Sequence, residues 1–181
     1  KVTGVQTCAL PIFQGFFQTE KYFKHIRDQL LIDFQFHDNI TEIAKQVVSE
    51  WNKPVSLHIR RTDYVSNSNH TVLPIEYYEH ALSMFDNNRE IIIFSDDPDW
   101  CLNHKLFDDD RFMVSQTGDN ALDMCLMTFC SAHIIANSSF SWWGAWLSNS
   151  EKVIAPSGWF KGSNNEHLNT KDIIPNNWII V

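Results

Sequence analysis

Hydrophobic and polar positions along the chain follow two different periods, which predict an alternation of helices and strands. Apolar residues recur at intervals of three and four in residues 16–31 and 40–48, as in amphipathic helices. Short apolar runs without that spacing predict buried strands at residues 55–59, 91–94, 111–114, 133–136 and 153–155. Further helices are predicted at residues 75–85, 98–106, 121–130 and 140–147.

This order of elements is typical of an α/β protein with a doubly wound parallel sheet, here of about five strands. Its crossovers should be right-handed. We interpret residues 13–181 as one domain of this kind. Residues 1–12 share no pattern with the rest of the chain, and we interpret them as a non-native leader.

The composition fits a soluble globular domain. Of the 181 residues, 44% are hydrophobic and 20% are charged, a balance that excludes a disordered chain. The net charge of -8 argues against a surface for nucleic acid or anionic membranes. We find no apolar run of the roughly 20 residues that a membrane-spanning helix requires. The four cysteines form no C-x-x-C pair, so we expect reduced thiols in a cytosolic protein and no disulfide.

Two adjacent arginines, Arg60 and Arg61, follow the predicted strand at residues 55–59. A guanidinium group keeps its proton and presents a planar fork of N–H groups that fits a phosphate. Ligands of open parallel sheets bind at the carboxyl ends of the strands. The pair therefore indicates a phosphate or pyrophosphate site. The alternative is a structural pair neutralised by local carboxylates such as Asp63. The tetrapeptide R-R-T-D at residues 60–63 does not by itself decide between the two interpretations.

Polar residues also follow the predicted strands at residues 91–94 and 133–136. The first of these loops carries Ser95, Asp96 and Asp97, and the second carries Asn137 and serines at positions 138, 139 and 141, before a predicted helix. The free N–H groups of a helix start attract anions, so these loops and the arginines predict a pyrophosphate cradle without a metal ion. For each serine the alternative is ordinary helix capping. Neither G-x-G-x-x-G nor G-x-x-x-x-G-K-[ST] occurs, which weakens dehydrogenase and kinase hypotheses.

Two segments resemble sequence blocks of the α-1,2-fucosyltransferase family. H-I-R-R-T-D at residues 58–63 resembles the H-x-R-R-x-D motif, which α-1,6- and protein O-fucosyltransferases share more loosely. N-S-S-F-S-W-W-G-A-W-L at residues 137–147 resembles the family's second block, and its paired tryptophans make it the more specific of the two. Segments at residues 15–23, 94–97 and 155–160 follow the family in the same order, so the resemblance covers about residues 13–181.

The resemblance implies an inverting transfer of L-fucose from GDP-β-L-fucose to the 2-hydroxyl of a terminal β-galactoside. It also implies a GT-B architecture of two Rossmann-like halves, in which this chain is the carboxyl-terminal, donor-binding half and the upstream acceptor domain is missing. The expected partners are GDP-fucose and a galactoside-terminated glycan, with no nucleic acid. No cofactor or metal is expected. We expect a cytoplasmic protein, at most peripheral to the inner membrane face, for a bacterial sequence, and a Golgi protein for an animal one.

The same resemblance assigns roles to individual residues. Arg60 would bind the β-phosphate and neutralise the charge of the departing GDP, while Arg61 would brace the loop or share the phosphate. His58 could reach the nucleotide, although a histidine at a strand end is more often packed. Asp123 would read the N–H groups of guanine, or else it is a carboxylate favoured by a helix start. The donor-binding set is completed by Asp96, Ser138, Ser139, Phe140 and Ser141.

The catalytic base is the role that the sequence assigns least directly. Inversion requires a group that takes the acceptor's proton, and a carboxylate is the usual candidate. Asp63 is the nearest candidate in the sequence, followed by Asp96 and Asp97. A base in the missing half of the enzyme, or a reaction driven by stabilisation of the leaving group, stays open.

Several other signals predict structure and not chemistry. Residues 108–110 contain the D-x-D pattern of metal-dependent glycosyltransferases, but they precede a strand and are interpreted as a solvated acidic turn. The eight histidines show no metal-ligand spacing. Trp142, Trp143 and Trp146 have helical spacing, so at least two of them should pack in the core.

Two alternatives to the fucosyltransferase hypothesis stay open. One is a nucleotide-binding fragment that does not catalyse transfer by itself. The other is a protein O-fucosyltransferase-like enzyme, which the S-F-S-W-W block at residues 139–143 disfavours.

Overall fold

A computed structural model describes residues 19–161 and 169–181. These residues form a six-stranded sheet in which every neighbouring pair is parallel, in the order β3-β2-β1-β4-β5-β6. The strands are β1 (Val55–Ile59), β2 (Ile91–Ser95), β3 (Phe112–Val114), β4 (Ala132–Ile134), β5 (Lys152–Ala155) and β6 (Ile179–Ile180). This order is that of a Rossmann-like doubly wound sheet, so the predicted fold class is confirmed.

The α-helices of the described residues connect or flank these strands. They are α1 (Arg27–Asp33), α2 (Asp38–Ser49), α3 (Thr62–Ser66), α4 (Ile75–Ser83), α5 (Pro98–Leu102), α6 (Asn120–Phe129) and α7 (Ser139–Leu147). The predictions for the helices at residues 40–48, 121–130 and 140–147 are confirmed to within two residues at each end.

The helices cover both faces of the sheet because successive strand residues point to opposite faces. Ile91 and Ile93 of β2 pack in one cluster with Tyr78 of α4, while Ile92 and Phe94 pack in another with α2 and α6. All four of these β2 side chains are at most 1% exposed. Strands buried on both faces explain why the sequence shows continuous apolar runs at these positions.

One buried polar chain crosses the middle of the sheet. Ser56 of β1 lies opposite His133 of β4, and its hydroxyl is 2.6 Å from Nδ1 of that histidine. Nε2 of His133 is 2.8 Å from the hydroxyl of Ser148. Burial lowers the pKa of His133 to about 3, so the ring is neutral at neutral pH. Both ring nitrogens have partners, which makes this buried group compatible with the core.

The tryptophans of α7 build an aromatic cluster. Trp142 and Trp146 are 0% and 4% exposed, which confirms the prediction that at least two of the three pack in the core. Trp143 stacks on Phe23 with ring centres 5.1 Å apart and meets Phe34 edge to face. All three rings therefore pack against the N-terminal part of the described chain.

The helix predicted at residues 16–31 is confirmed over residues 27–31, which belong to α1, and is wrong over residues 19–26. Residues 16–18 lie outside the described residues, and two short 3-10 turns, Glu20–Tyr22 and Lys24–Ile26, precede α1. Phe23 interrupts the helical path with φ -142° and ψ 0°. Its ring is buried against the tryptophans of α7, so a tertiary contact overrides the local period.

Three further differences concern the other elements. The helix predicted at residues 98–106 is divided into α5 and a 3-10 turn, Lys105–Phe107. The sheet has a sixth strand, β6, and a short helix, α3, lies directly after the arginine pair. The proposed leader at residues 1–12 lies outside the described residues and stays a prediction.

Candidate functional site

The sheet order creates a crevice between β1 and β4. The chain leaves β1 towards β2 on one side and leaves β4 towards β5 on the other, so the loops after these two neighbouring strands diverge. Such a switch point at the carboxyl ends of parallel strands is where doubly wound folds bind ligands. Arg60 and Arg61 directly follow β1, while Asn137 and Ser138 follow β4. Two of the three predicted loops thus meet at the switch point.

Arg60 lies at this rim in a network of carboxylates. Its Nε is 2.9 Å from Oδ1 of Asp63 and 3.4 Å from Oδ2 of Asp96, and its side chain is 32% exposed. The guanidinium carbon lies 5.6 Å from the ring centre of Tyr64. The hydrogen bond from Arg60 lowers the pKa of Asp63. The predicted phosphate ligand and the predicted base are therefore paired with each other in the free chain.

Arg61 has the contacts of a bracing residue. Its guanidinium lies 4.0 Å above the ring centre of Trp100, and its Nε is 3.1 Å from Oδ2 of Asp97. Asp97 also accepts a hydrogen bond from the N–H of Trp100 at the start of α5. These contacts tie the loop after β1 to the loop after β2, which corresponds to the first of the two roles considered for Arg61.

Asp96 holds the same two loops together through the backbone. Its carboxylate accepts the N–H groups of Arg61 at 2.8 Å and Thr62 at 3.0 Å, and it also accepts the Thr62 hydroxyl. These N–H groups belong to the start of α3, where no earlier helical turn can supply an acceptor. A side chain from another loop thus caps α3 and fixes the backbone next to Arg60.

His58 is buried beneath Arg60 on the same face of β1. It is 4% exposed, and burial lowers its pKa to about 4, so its ring is neutral at neutral pH. The ring centre is 5.5 Å from that of Phe140. Within residues 19–161 and 169–181, its buried Nδ1 has no hydrogen-bond partner. A buried unpartnered nitrogen is costly and is often a sign of a missing ligand.

A cavity of about 120 Å³ brings half of the predicted site residues together. Its wall includes His58, Arg60, Asp96, Asp123 and Phe140. These residues come from β1, the two adjacent loops, and the first turns of α6 and α7. Two larger hollows, of about 230 and 280 Å³, lie away from all of the predicted residues.

Asp123 lies in the first turn of α6, where the helix dipole favours a carboxylate, so that alternative stays open, but Asp123 is not the residue that caps the helix. Asp119 caps α6, since its Oδ1 lies 2.8 Å from the N–H of Ala121. Asp123 lies one turn further on, where its Oδ1 accepts the hydroxyls of Ser115 at 2.6 Å and Thr117 at 2.8 Å. A carboxylate that is oriented by side chains and lines a cavity is suited to ligand recognition.

The serines at the start of α7 face the helix more than the crevice. Ser138 accepts the N–H of Phe140 at 3.3 Å, which is an N-terminal cap. Ser141 is fully buried, and its hydroxyl donates to the carbonyl oxygen of Ala136 at 3.4 Å. Ser139 is partly exposed at the first position of the helix. For Ser138 this contact matches the capping alternative, whereas Ser141 donates to a backbone carbonyl oxygen and does not cap a free N–H group.

Asn137, to which the sequence assigned a loop position but no role, is a central residue of the site. It is 1% exposed, and its Nδ2 donates to the carbonyl oxygens of Thr71 and Trp159, each at 3.0 Å. The backbone carbonyl oxygen of Asn137 accepts a hydrogen bond from the hydroxyl of Tyr64 at 3.0 Å. Asn137 therefore joins the loops around the crevice. An amide residue directly after an apolar strand was the available signal.

Residues 2–181 match the family model described as Glycosyl transferase family 11. The chain belongs to glycosyl transferase family 11. This membership and the similarity to individual family members confirm the resemblance to α-1,2-fucosyltransferases that the sequence blocks indicated.

Three curated proteins illustrate the range of family 11 relatives. The chain is 40% identical to an Escherichia coli alpha-1,2-colitosyltransferase over 92% of the chain and 61% of that protein. It is 36% identical to the E. coli O-antigen biosynthesis glycosyltransferase WbnK over 91% of the chain and 62% of that protein. It is 27% identical to the galactoside alpha-(1,2)-fucosyltransferase 1 of Sus scrofa over 77% of the chain and 43% of that protein. The chain spans about three fifths of the length of the bacterial relatives.

The structure also locates other predicted features of the family 11 chain. The acidic residues at positions 108–110 are exposed in the turn before β3. Within residues 19–161 and 169–181, no group of three or more His, Cys, Asp or Glu side chains is arranged to hold a metal ion. None of the helices in these ranges has the length and apolarity needed to cross a membrane.

The described cysteines of the family 11 chain are free and buried. They are Cys101, Cys125 and Cys130, and burial raises the pKa of each thiol. Such thiols are poor nucleophiles, so they act as small apolar core residues. Cys8 lies outside the described residues.

Proposed function

We propose that this family 11 protein transfers L-fucose from GDP-β-L-fucose to the 2-hydroxyl of a terminal β-galactoside with inversion. The described sheet would be the donor-binding half of a GT-B enzyme. The name of the pig relative, a galactoside alpha-(1,2)-fucosyltransferase, supports this reaction. The name of one E. coli relative, an O-antigen biosynthesis glycosyltransferase, supports a glycan as acceptor. A cytoplasmic location, at most peripheral to the inner membrane face, is part of the proposal for a bacterial enzyme.

The observation that carries the proposal is the pair of charges on the wall of one cavity. Arg60 supplies a guanidinium for the diphosphate, and Asp123 supplies a carboxylate for the N–H groups of guanine. Both lie near the switch point of the sheet, where a nucleotide is expected. This combination matches GDP, which presents a diphosphate for the cation at one end and the N–H donors of guanine for the carboxylate at the other.

Nucleotide binding would exchange one partner of Arg60 for another. In the free chain its Nε bonds to Asp63, whose side chain is 53% exposed. A diphosphate carries more charge than one carboxylate and can bind the guanidinium fork bidentately, so it competes well for Arg60. Bound in this way, Arg60 stabilises the charge that develops as GDP leaves, a role that other glycosyltransferases give to a metal ion.

The same exchange would prepare Asp63 for catalysis. While Arg60 donates a hydrogen bond to it, the pKa of Asp63 is held below its ordinary value, which makes it a weak base. When the diphosphate takes Arg60, that hydrogen bond is lost and the pKa of Asp63 rises. We propose that the released carboxylate accepts the proton of the attacking 2-hydroxyl. Nucleotide binding would thus precede acceptor activation.

His58 and Phe140 complete the proposed nucleotide pocket. A neutral imidazole has one nitrogen that donates and one that accepts. Depending on the tautomer, the unpartnered Nδ1 of His58 can therefore donate to a phosphate oxygen or accept a ribose hydroxyl. Phe140 lies against the His58 ring and closes that side of the cavity. Of the proposed binding serines, Ser139 is partly exposed at the helix start.

Transfer of colitose is a second candidate function. It is favoured by the 40% identity with the E. coli alpha-1,2-colitosyltransferase, against 27% with the pig fucosyltransferase. Colitose is L-fucose without its 3-hydroxyl, so the two sugars differ by one hydrogen-bonding group. A site built to bond that hydroxyl would reject colitose strongly, while an apolar site would accept both. Comparing kcat/KM for the two GDP sugars separates these functions.

The proposal is tested by incubating the chain with GDP-fucose and lactose and measuring fucosylated lactose by mass spectrometry. The thermal unfolding temperature with and without GDP is measured in parallel. Formation of 2-fucosyllactose supports the proposal. Stabilisation by GDP without product favours the non-catalytic fragment, and transfer to a folded protein acceptor in place of lactose favours the protein O-fucosyltransferase alternative. Absence of both stabilisation and product would contradict the proposal.

A further inference from the structure

The carboxylate of Asp123 is fixed by its neighbours with one oxygen occupied and one exposed to a ligand. Oδ1 accepts two hydroxyl groups, from Ser115 at 2.6 Å and from Thr117 at 2.8 Å. Within the described ranges, no hydrogen bond to Oδ2 is present. Since Asp123 lines the cavity with Arg60, the unoccupied oxygen is available to a molecule bound there.

The hydroxyl of Ser115 is held in place by the sheet. The N–H of Ser115 donates to the carbonyl oxygen of Ile93 at 2.8 Å, which continues the pairing of β3 with β2 by one residue. Ser115 is 8% exposed, so its hydroxyl has little freedom to find water instead. Thr117 is held on the other side, because the N–H of Asp119 donates to its hydroxyl oxygen at 3.1 Å.

Counting acceptor positions shows what the exposed oxygen can bind. An ionised carboxylate has about four acceptor positions, two on each oxygen. The two hydroxyls occupy those of Oδ1, which leaves two positions on Oδ2. The edge of guanine presents two neighbouring donors, N1–H and the 2-amino group. Hypoxanthine presents only N1–H, and adenine presents an unprotonated N1 that would repel a carboxylate oxygen.

We propose that Ser115 and Thr117 are positioning residues that make Asp123 selective for guanine. They orient the carboxylate so that Oδ2 faces the base, and they prevent it from rotating to accept other groups. Asp119 already caps α6, so Asp123 and its two hydroxyl partners are not needed to form that helix. The unpartnered Nδ1 of His58 on the same cavity wall independently indicates a ligand there. This inference rests on the proposed function and adds a basis for its nucleotide specificity.

The experiment measures binding of GDP, IDP and ADP to the full chain by isothermal titration calorimetry. Two variants remove one hydroxyl each, Ser115→Ala and Thr117→Val, and Thr117→Ser restores one. Thr128→Val is the matched control, because the Thr128 hydroxyl donates to the backbone of α6 at Cys125, outside the cavity. Thermal unfolding of every variant shows that it is folded at the temperature of the titration.

We expect the wild-type chain to bind GDP more tightly than IDP and ADP. Each hydroxyl-removing variant should weaken GDP binding on the order of tenfold and should reduce the preference for GDP over IDP. Thr117→Ser and Thr128→Val should keep the wild-type preference. A purely structural role would weaken all three nucleotides equally, and such a result would overturn the inference.

Other outcomes separate this inference from the proposed function. Because Thr117 is exposed, Thr117→Val should fold. This variant therefore tests the inference even if Ser115→Ala does not fold. A wild-type preference for GDP that both variants retain would overturn the inference alone. A wild-type chain that binds none of the three nucleotides would overturn the proposed function, and the inference with it.

Discussion

Replacing Asp96 should loosen the loop that carries Arg60. Asp96 accepts two backbone N–H groups at the start of α3, from Arg61 at 2.8 Å and from Thr62 at 3.0 Å, and its side chain is 16% exposed. A hydrogen bond to a charged acceptor contributes about 1.5 to 3 kcal/mol to stability. At this partly exposed rim we take the lower value for each bond. Asp96→Ala should therefore lower the free energy of unfolding by about 3 kcal/mol.

Urea denaturation followed by circular dichroism measures this loss, with thermal unfolding as a second reading. For a domain of this size, about 3 kcal/mol corresponds to a decrease in Tm of roughly 6 to 12 °C. Asp96→Asn keeps one carbonyl oxygen but presents an amide to the other N–H, so it should lose about half as much. Asp110→Ala is the matched control, since it removes the same charge from an exposed turn. If Asp96→Ala costs no more than Asp110→Ala, the bracing role is refuted.

The remaining predictions concern the core and the guanidinium. The unfolded chain protonates His133 below pH 6.5, whereas the folded chain does so only near pH 3, so stability should fall as the pH drops through this window, by up to about 1.4 kcal/mol per pH unit. In the His133→Gln variant, the urea midpoint should depend less on pH between pH 7 and 5, and a pH dependence equal to that of the wild type would contradict this. Gly144→Ala places a Cβ 3.0 Å from Sδ of Met127; overpacking costs about 1 to 3 kcal/mol, and the higher helix propensity of Ala offsets about 1 kcal/mol, so a net loss of about 1 kcal/mol is expected, while Gly158→Ala, with open space around it, should cost far less. Equal Tm values for the two glycine variants would refute the close packing of α6 and α7. In the complete enzyme, Arg60→Ala should reduce the transfer rate by roughly 100- to 1000-fold, and Arg60→Lys should restore little because the planar fork is lost. Near-normal turnover of the lysine variant would argue against bidentate phosphate binding.

Local sequence determined most of the sheet. The bounds of β1 were predicted without error, and all five of its residues are buried, although Ser56 and His58 among them are polar. The strand β6 was missed because Ile179 and Ile180 form only two residues of pairing with β5. A strand of that length depends on its neighbour and leaves no periodic pattern of its own.

The contacts that could not be predicted from the sequence join residues that are far apart along the chain. Asp96 caps α3 by accepting the N–H groups of Arg61 and Thr62, which lie 35 and 34 residues away along the chain. The start of α3 therefore has no local capping pattern from which the helix could be predicted. Phe23 similarly breaks a predicted helix by packing on tryptophans more than 100 residues away along the chain. Pattern reasoning uses neighbours in the sequence and cannot register such contacts.

For the candidate site, the sequence predicted the charged residues but not most of the contacts that they make. The sequence placed Arg60 in a loop and Asp123 at a helix start, and the structure brings both to one cavity. The sequence left open whether Arg60 pairs with Asp63, as it does in the free chain, and it could not indicate that the Ser141 hydroxyl donates to the backbone. Asn137 was placed in its loop but was given no role, because it joins loops whose length and path are not visible in a motif.

A structure of the chain bound to GDP would show directly whether Arg60 holds the diphosphate. We expect oxygens of the diphosphate to lie about 2.7 to 2.9 Å from the Arg60 guanidinium, with Asp63 released from it and guanine against Asp123. A complex in which Arg60 keeps its bond to Asp63 while GDP lies elsewhere would refute the proposed donor site.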